Sequence, residues 1–122
     1  KLNQIHGKPL SYNNYNDIFS ALTISKSLPK NIGTVIVKHG NPCGVSILKG
    51  KVDSYKSALK CDPISAFGGI VSCNFRITRT VASELKKLFL EVVVANNFDN
   101  DALKILKTKK KFKINRCFKF LN

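Results

Sequence analysis

The chain has 122 residues, 43% of them hydrophobic, and a formal charge of +14. That length suits one domain, which should bury about two-thirds of the surface its unfolded chain exposes. No apolar run approaches the ~20 residues that a membrane-crossing helix needs, so a helical span is excluded. The charge alone does not make a nucleic-acid binder. Eight basic residues, from Lys104 to Lys119, follow the last acid, Asp101, whereas residues 1–103 carry 13 positive and 7 negative side chains, a net +6. Lysine outnumbers arginine 18 to 3, although phosphate and base readout favours the planar guanidinium fork. Twelve asparagines accompany the lysines, and both residues have AT-rich codons. Base-composition drift therefore explains the charge better than a nucleic-acid partner does.

In chain order, residues 16–28, "NDIFSALTISKSL", read as a helix with Ile18, Ala21, Leu22 and Ser25 in register, ended by Pro29. "GTVIVK" (33–38) is a β-branched apolar run that predicts a buried strand. It leads into "HGNPCG", where Asn41-Pro42 reads as a turn initiator and Gly44 permits a left-handed or crowded backbone. Residues 52–60 place Val52, Tyr55, Ala58 and Leu59 on one helical face, and "GIVSC" (69–73) reads as a second strand. Thr78 or Thr80 can cap a helix in which Val81, Leu85, Leu88 and Phe89 recur at helical spacing. "EVVVA" (91–95) is a third strand, and Asp99 or Asn100 opens a helix through Lys107 carrying Ala102, Leu103 and Leu106. "KFKIN" (111–115) is a candidate further strand. This alternation predicts an α/β domain: a mostly parallel sheet with flanking helices.

Ligands of open parallel sheets collect beyond the carboxyl ends of the strands. Lys38-His39 ends the first strand, and "ANNF" leaves the third. "CDPISAFGG" precedes the second strand, so on a parallel sheet it falls at the opposite end unless its loop folds back. His39 has the titration range of a general base; a solvated histidine beside a solvated lysine is the plainer reading. Extended side chains alternate, so the two converge only if the backbone turns, as Gly40 allows. Gly68-Gly69 can bring backbone amides close to a ligand, although glycine pairs are common in turns. Glu91, the acid that opens a very apolar strand, is either a solvated strand end or a binding residue.

Pro42-Cys43 is similar to half of the Pro-Cys-x-x-Cys of zinc deaminases, whose upstream His-x-Glu completes the site. Here Asn41 stands two residues after His39, and no cysteine follows Cys43 at the needed interval. The four cysteines lie 18, 12 and 44 residues apart with no Cys-x-x-Cys, so no metal is expected. Reduced thiols of a cytoplasmic protein are the default, with Cys61 and Cys73 read as core residues.

Four segments together resemble the transformylase domain of the bifunctional purine biosynthesis enzymes, which join a formyltransferase to an IMP cyclohydrolase: "QIHGKPLSYNNYNDI" (4–18), "VIVKHGNPCGV" (35–45), "SALKCDPISAFGGIVSCN" (57–74) and "LFLEVVVANNFDNDALKILKTKK" (88–110). They stand in the family's order and spacing, followed by a divergent lysine-rich end, 111–122. The resemblance implies formyl transfer from 10-formyltetrahydrofolate to the 5-amino group of aminoimidazole carboxamide ribonucleotide (AICAR). It implies His39 as general base, Lys38 as its electrostatic or proton-donating partner, and nucleotide contacts at Gly68 and Glu91. It also implies a cytidine-deaminase-like fold without the zinc, and a cytoplasmic homodimer with the site at the subunit interface. Three features depart from the family: Gly40 stands where Thr or Ala is usual, Asn96-Asn97 replaces a Pro-Gly-like turn, and the end drifts into lysine and phenylalanine. The cyclohydrolase domain, the Arg-Tyr-Gly-type segment upstream and the second half of the transformylase are missing, and the chain has no methionine. A catalytically inactive fragment of one partial domain is therefore expected. The alternatives are a small basic nucleic-acid-binding protein and a non-catalytic remnant.

Overall fold

The computed structural model describes residues 2–117. Its elements are β1 (Leu2–His6), α1 (Tyr12–Ser27), β2 (Gly33–Lys38), β3 (Asn41–Ile47), α2 (Lys51–Cys61), α3 (Pro63–Ala66), β4 (Ile70–Ile77), α4 (Arg79–Lys86), β5 (Val92–Phe98), α5 (Asn100–Lys107) and β6 (Lys113–Cys117). The six strands form one sheet in the order β1-β6-β5-β4-β2-β3.

Each strand's two-residue alternation divides the core between the faces of the sheet. Val35, Val37, Ile70, Val92 and Val94 pack with Ile18 and Ala21 of α1 on one face. Ile36, Val71, Cys73, Val93 and Ala95 pack on the other with Tyr55, Val81, Leu85 and Leu106 from α2, α4 and α5. Helix α1 begins at Tyr12, four residues before the predicted start, because a capping box secures it. The Asn14 amide N–H donates to Ser11 Oγ at 3.1 Å, and the Ser11 N–H donates to Asn14 Oδ1 at 3.0 Å. Helix α4 stops at Lys86, so Leu88 and Phe89 lie beyond it. Strand β6 takes up most of "KFKIN".

Strand direction departs from the sequence expectation. Strands β4–β5 and β5–β6 are parallel, whereas β1–β6, β2–β3 and β2–β4 are antiparallel. The sheet is mixed rather than mostly parallel. The cause is local: "NPCG" is not a turn but the start of β3, and the chain reverses one step earlier. His39 and Gly40 both take left-handed backbone, with φ of 53° and 77°, which is the conformation of a two-residue hairpin whose twist matches the flanking strands. Pro42 is tolerated because β3 is an edge strand. Gly44 is needed for close approach, since a Cβ there would run into the Ala58 carbonyl oxygen of α2. Asn96 and Asn97 likewise lie inside β5 rather than in a turn.

Asn74 closes the seam between β4 and the segment that enters β2. Its Oδ1 accepts from the Gly33 N–H at 2.8 Å and its Nδ2 donates to the Ser25 carbonyl at 3.4 Å, both buried, and to the part-buried Pro29 carbonyl at 2.9 Å.

Candidate functional site

Because β2 runs antiparallel to β4, pairing Val37 with Ile70, the last residue of β2 meets the segment that precedes β4. β5 is parallel to β4 and pairs Val92 with Ile70, so Glu91 arrives at the same end. Lys38, Gly68 and Glu91 thus come to one end of the sheet within one chain, whereas "ANNF" leaves β5 at the other end, where Phe98 pairs with Ile77. The placement of "CDPISAFGG" at the opposite end, which a parallel sheet implies, is corrected by this one reversal.

Backbone hydrogen bonds hold the convergence. Lys38 is half-buried, and its ammonium donates to the Phe67 carbonyl at 2.6 Å. Gly68 adopts φ +76°, and its N–H donates to the Phe89 carbonyl at 2.8 Å. The Gly69 N–H donates to Ala66 at 2.9 Å, and the Glu91 N–H donates to the Gly69 carbonyl at 2.8 Å. A side chain at Gly68 would be forced into left-handed backbone and would sit 3.7 Å from Lys38 Nζ and 3.6 Å from the Phe89 ring. The Phe67 and Phe89 rings pack with centroids 5.4 Å apart, and both remain exposed beside this turn.

His39 stands exposed at the hairpin tip. The left-handed turn lets it and Lys38 line one groove of about 670 Å³, together with Pro42, Cys43, Asp62 and Ser65. The Gly40 N–H donates to Asp17 Oδ1 at 2.7 Å, which ties the tip to α1. Asp62 accepts from Ser65, which holds its carboxyl below the usual range and caps α3. Burial, and then the negative charge of Asp62, push the Cys43 thiol up. Cys73 is buried as expected, but Cys61 is exposed: it sits in the last turn of α2, facing the groove, with its thiol toward the Ser57 carbonyl. Among the described residues, no three His, Cys, Asp or Glu side chains gather where a metal ion would be held.

Glu91 lines a different hollow from Lys38 and His39, with Gly68 and the two phenylalanines linking the pair. Its Oε1 accepts a hydrogen bond from Asn14 Nδ2, and Asn14 Oδ1 in turn accepts from Lys113 Nζ at 2.6 Å. Sequence reasoning did not single out Asn14, Asp17, Phe67 or Lys113, and it read Phe89 only as part of a helical face. Asn14 is one of several polar residues in "SYNN", and only the fold shows that it alone of these four is buried.

A model of the AICARFT/IMPCHase bienzyme family matches residues 1–120. The chain belongs to that family. Among curated relatives it is 48% identical over 111 residues to the bifunctional purine biosynthesis protein PurH of Caldicellulosiruptor saccharolyticus, covering 91% of this chain and 21% of the relative. It is 48% identical over 120 residues to PurH of Prochlorococcus marinus, covering 91% and 23%. The chain therefore spans about a fifth of the length of the curated relatives it matches. Solved structures carry the fold further. RibD of Acinetobacter baumannii, form 2, superposes with a TM-score of 0.62 at 19% identity over 90% of this chain and 38% of its own. The apo dCMP deaminase of cyanophage S-TIM5 gives 0.57 at 11% identity over 85% and 98%. The family member thus has the deaminase-like α/β fold that its motifs implied.

Proposed function

We propose that this chain is the part of an AICAR formyltransferase that carries the proton acceptor and the cation for formyl transfer. The acceptor amine of AICAR is a poor nucleophile, because its lone pair is delocalised into the imidazole. In the proposed step the amine attacks the formyl carbon of 10-formyltetrahydrofolate, and its proton passes to His39. The Lys38 ammonium stabilises the oxyanion that develops on the formyl oxygen. The bond from the formyl carbon to the folate nitrogen then breaks, and that nitrogen gains a proton. Gly68 lets the nucleotide approach the backbone, and Glu91 accepts from its hydroxyl groups.

The observation that carries this reading is that Lys38 and His39 share one groove while Lys38 Nζ is held 2.6 Å from the Phe67 carbonyl, in a chain of this family. One bond of the ammonium is used there, and two N–H donors remain to meet a developing negative charge. No step requires a metal. The intact enzyme is a cytoplasmic homodimer that also carries the IMP cyclohydrolase. Residues supplied by the rest of it complete the phosphate and folate contacts, so the 122-residue chain alone is inactive.

A chimaera tests this. Residues 4–117 replace the matching segment of the Caldicellulosiruptor saccharolyticus PurH, and formyl transfer to AICAR is measured. The chimaera should be active, and His39→Ala should lower kcat by about 10²–10⁴-fold. An unchanged kcat in His39→Ala would remove the histidine from the chemistry. Formyl transfer by the 122-residue chain alone, lost on His39→Ala, would refute its inactivity.

A further inference from the structure

Cys43 and Cys61 line the groove that Lys38 and His39 share, whereas Cys73 and Cys117 are buried. The formyl transfer proposed above uses none of these thiols. The approach of the first two follows from how α2 lies on β3. Thr34 pairs with Ser46 across β2–β3, and its hydroxyl meets that of Ser54 in α2 at 2.8 Å. Ser54 is therefore level with Ser46. Two strand residues earlier, at Gly44, and four helix residues later, at Ala58, the two elements meet again. Two residues of strand span about 6.6 Å and four of helix about 6 Å, so α2 runs antiparallel to β3 and keeps step with it. The next step, one residue back along β3 and three on along α2, brings Cys43 level with Cys61.

The two side chains also share a face. The β2–β3 register shifts between Ile36, which pairs with Gly44, and Val37, which pairs with Pro42, so Cys43 is the extra residue of a bulge. A bulge breaks the strict alternation of a strand. Cys43 accordingly packs against the core that Tyr55 and Ala58 of α2 enter, the side toward which Gly44 is turned. Helix residues three apart are neighbours on one face, which puts Cys61 beside Ala58. Burial, then Asp62, push the Cys43 thiol up, and Cys61 adds a smaller push of its own, so the two sulfurs are within electrostatic reach. A disulfide needs Cα atoms about 4.4–6.8 Å apart, and the absence of a Cβ at Gly44 draws strand and helix together beside this pair.

We propose that Cys43 and Cys61 are a reversible dithiol pair that closes to a disulfide across the groove by exchange with a low-molecular-weight disulfide such as oxidised glutathione. Cys61 is exposed, so its thiolate attacks the external disulfide first; that S–S bond breaks and one thiolate leaves. The half-buried Cys43 is the resolving thiol. Its thiolate attacks the Cys61 sulfur of the mixed disulfide and expels the second thiolate. Two electrons pass to the external disulfide, and the two cysteine protons end on the two released thiols. Exposed disulfides are readily reduced again, so the bond acts as a switch and not as a staple. It ties β3 to the end of α2 beside Lys38 and His39. Its formation does not rest on the formyltransferase reading above; its effect on formyl transfer does.

The test is intact-mass measurement and peptide mapping of the folded 122-residue chain after incubation with oxidised glutathione. The wild-type chain should lose two hydrogen masses, with Cys43 and Cys61 recovered in one linked peptide pair, Cys73 and Cys117 still free, and full reversal by dithiothreitol. Cys43→Ser should instead retain glutathione on Cys61, because no resolving thiol remains. Cys61→Ser changes an exposed side chain and should keep the fold, leaving Cys43 free under the same conditions. The His39 ring resonances should shift when the wild-type chain is oxidised and stay in place in treated Cys61→Ser. A wild-type chain that holds glutathione on Cys61 beside a free Cys43, that links to a second copy, or that does not react would overturn the proposal. A linked pair alongside an inactive chimaera would refute only the formyltransferase reading; an active chimaera alongside an unlinked pair would refute only the switch.

Discussion

On one side of β4 the chain advances as its alternation of strand and helix dictates. Strands β5 and β6 run parallel, each reached through a helix, and α4 and α5 bury their apolar faces over them. On the other side β2 and β3 run antiparallel, joined by two left-handed residues and held against α2 by the close approach at Gly44. The candidate site lies where these two halves meet. Parallel strands alone would have separated Lys38 from Gly68 by the length of a strand; the single reversal puts them one hydrogen bond apart through Phe67.

Three perturbations probe this contrast. The largest effect is expected at the antiparallel half, where Gly44→Ala drives a Cβ into the Ala58 carbonyl. Urea unfolding should show a loss of about 3 kcal/mol, and an unchanged midpoint would mean that β3 does not need the close approach. Next is the seam. Asn74→Ala removes three hydrogen bonds and leaves the buried Gly33 N–H unpaired, with an expected loss of about 2 kcal/mol in the same measurement. A loss under about 0.5 kcal/mol would show that water replaces the amide.

The smallest effect is silent at neutral pH. Burial pushes the Cys73 thiol from its ordinary 9.0 up to about 12, and burial also raises the Tyr55 hydroxyl above its ordinary 10.0. Both groups are kept protonated by folding. Their contribution is complete below pH 9 and is lost as the pH rises toward 12, because the unfolded chain releases these protons first. The thermal midpoint should fall over that window, and Cys73→Val should make the fall shallower. Identical slopes for the two proteins would place the alkaline loss elsewhere.

The parallel half was legible because its signals are periodic. "GIVSC", "EVVVA" and the helices after them carry uninterrupted apolar patterns, and each fell within a few residues of its observed place. The antiparallel half hid its reversal. Asn41-Pro42 and Gly44 are turn formers by type, yet an edge strand accepts proline, and Gly44 serves a helix contact instead. The actual turn uses His39, a residue with no strong preference for left-handed backbone. Strand β1, "LNQIH", is short and half polar, and its pairing with β6 depends on a partner more than 100 residues away. In the site, Lys38 and His39 were readable as chemistry-bearing residues and Glu91 as an anomaly. Asn14 was not, because its importance comes entirely from where α1 places it.

Asn14 also ties distant parts of the chain together beside Glu91. Its two side-chain bonds bridge 77 residues to Glu91 and 99 residues to Lys113. Contacts of such sequence separation close loops that cover most of the chain, and they are rewarded only after the entropy of closure has been met. The bridge therefore forms only once α1, β5 and β6 are all docked. One buried amide thus ties the hollow beside Glu91 to segments near both ends of the chain.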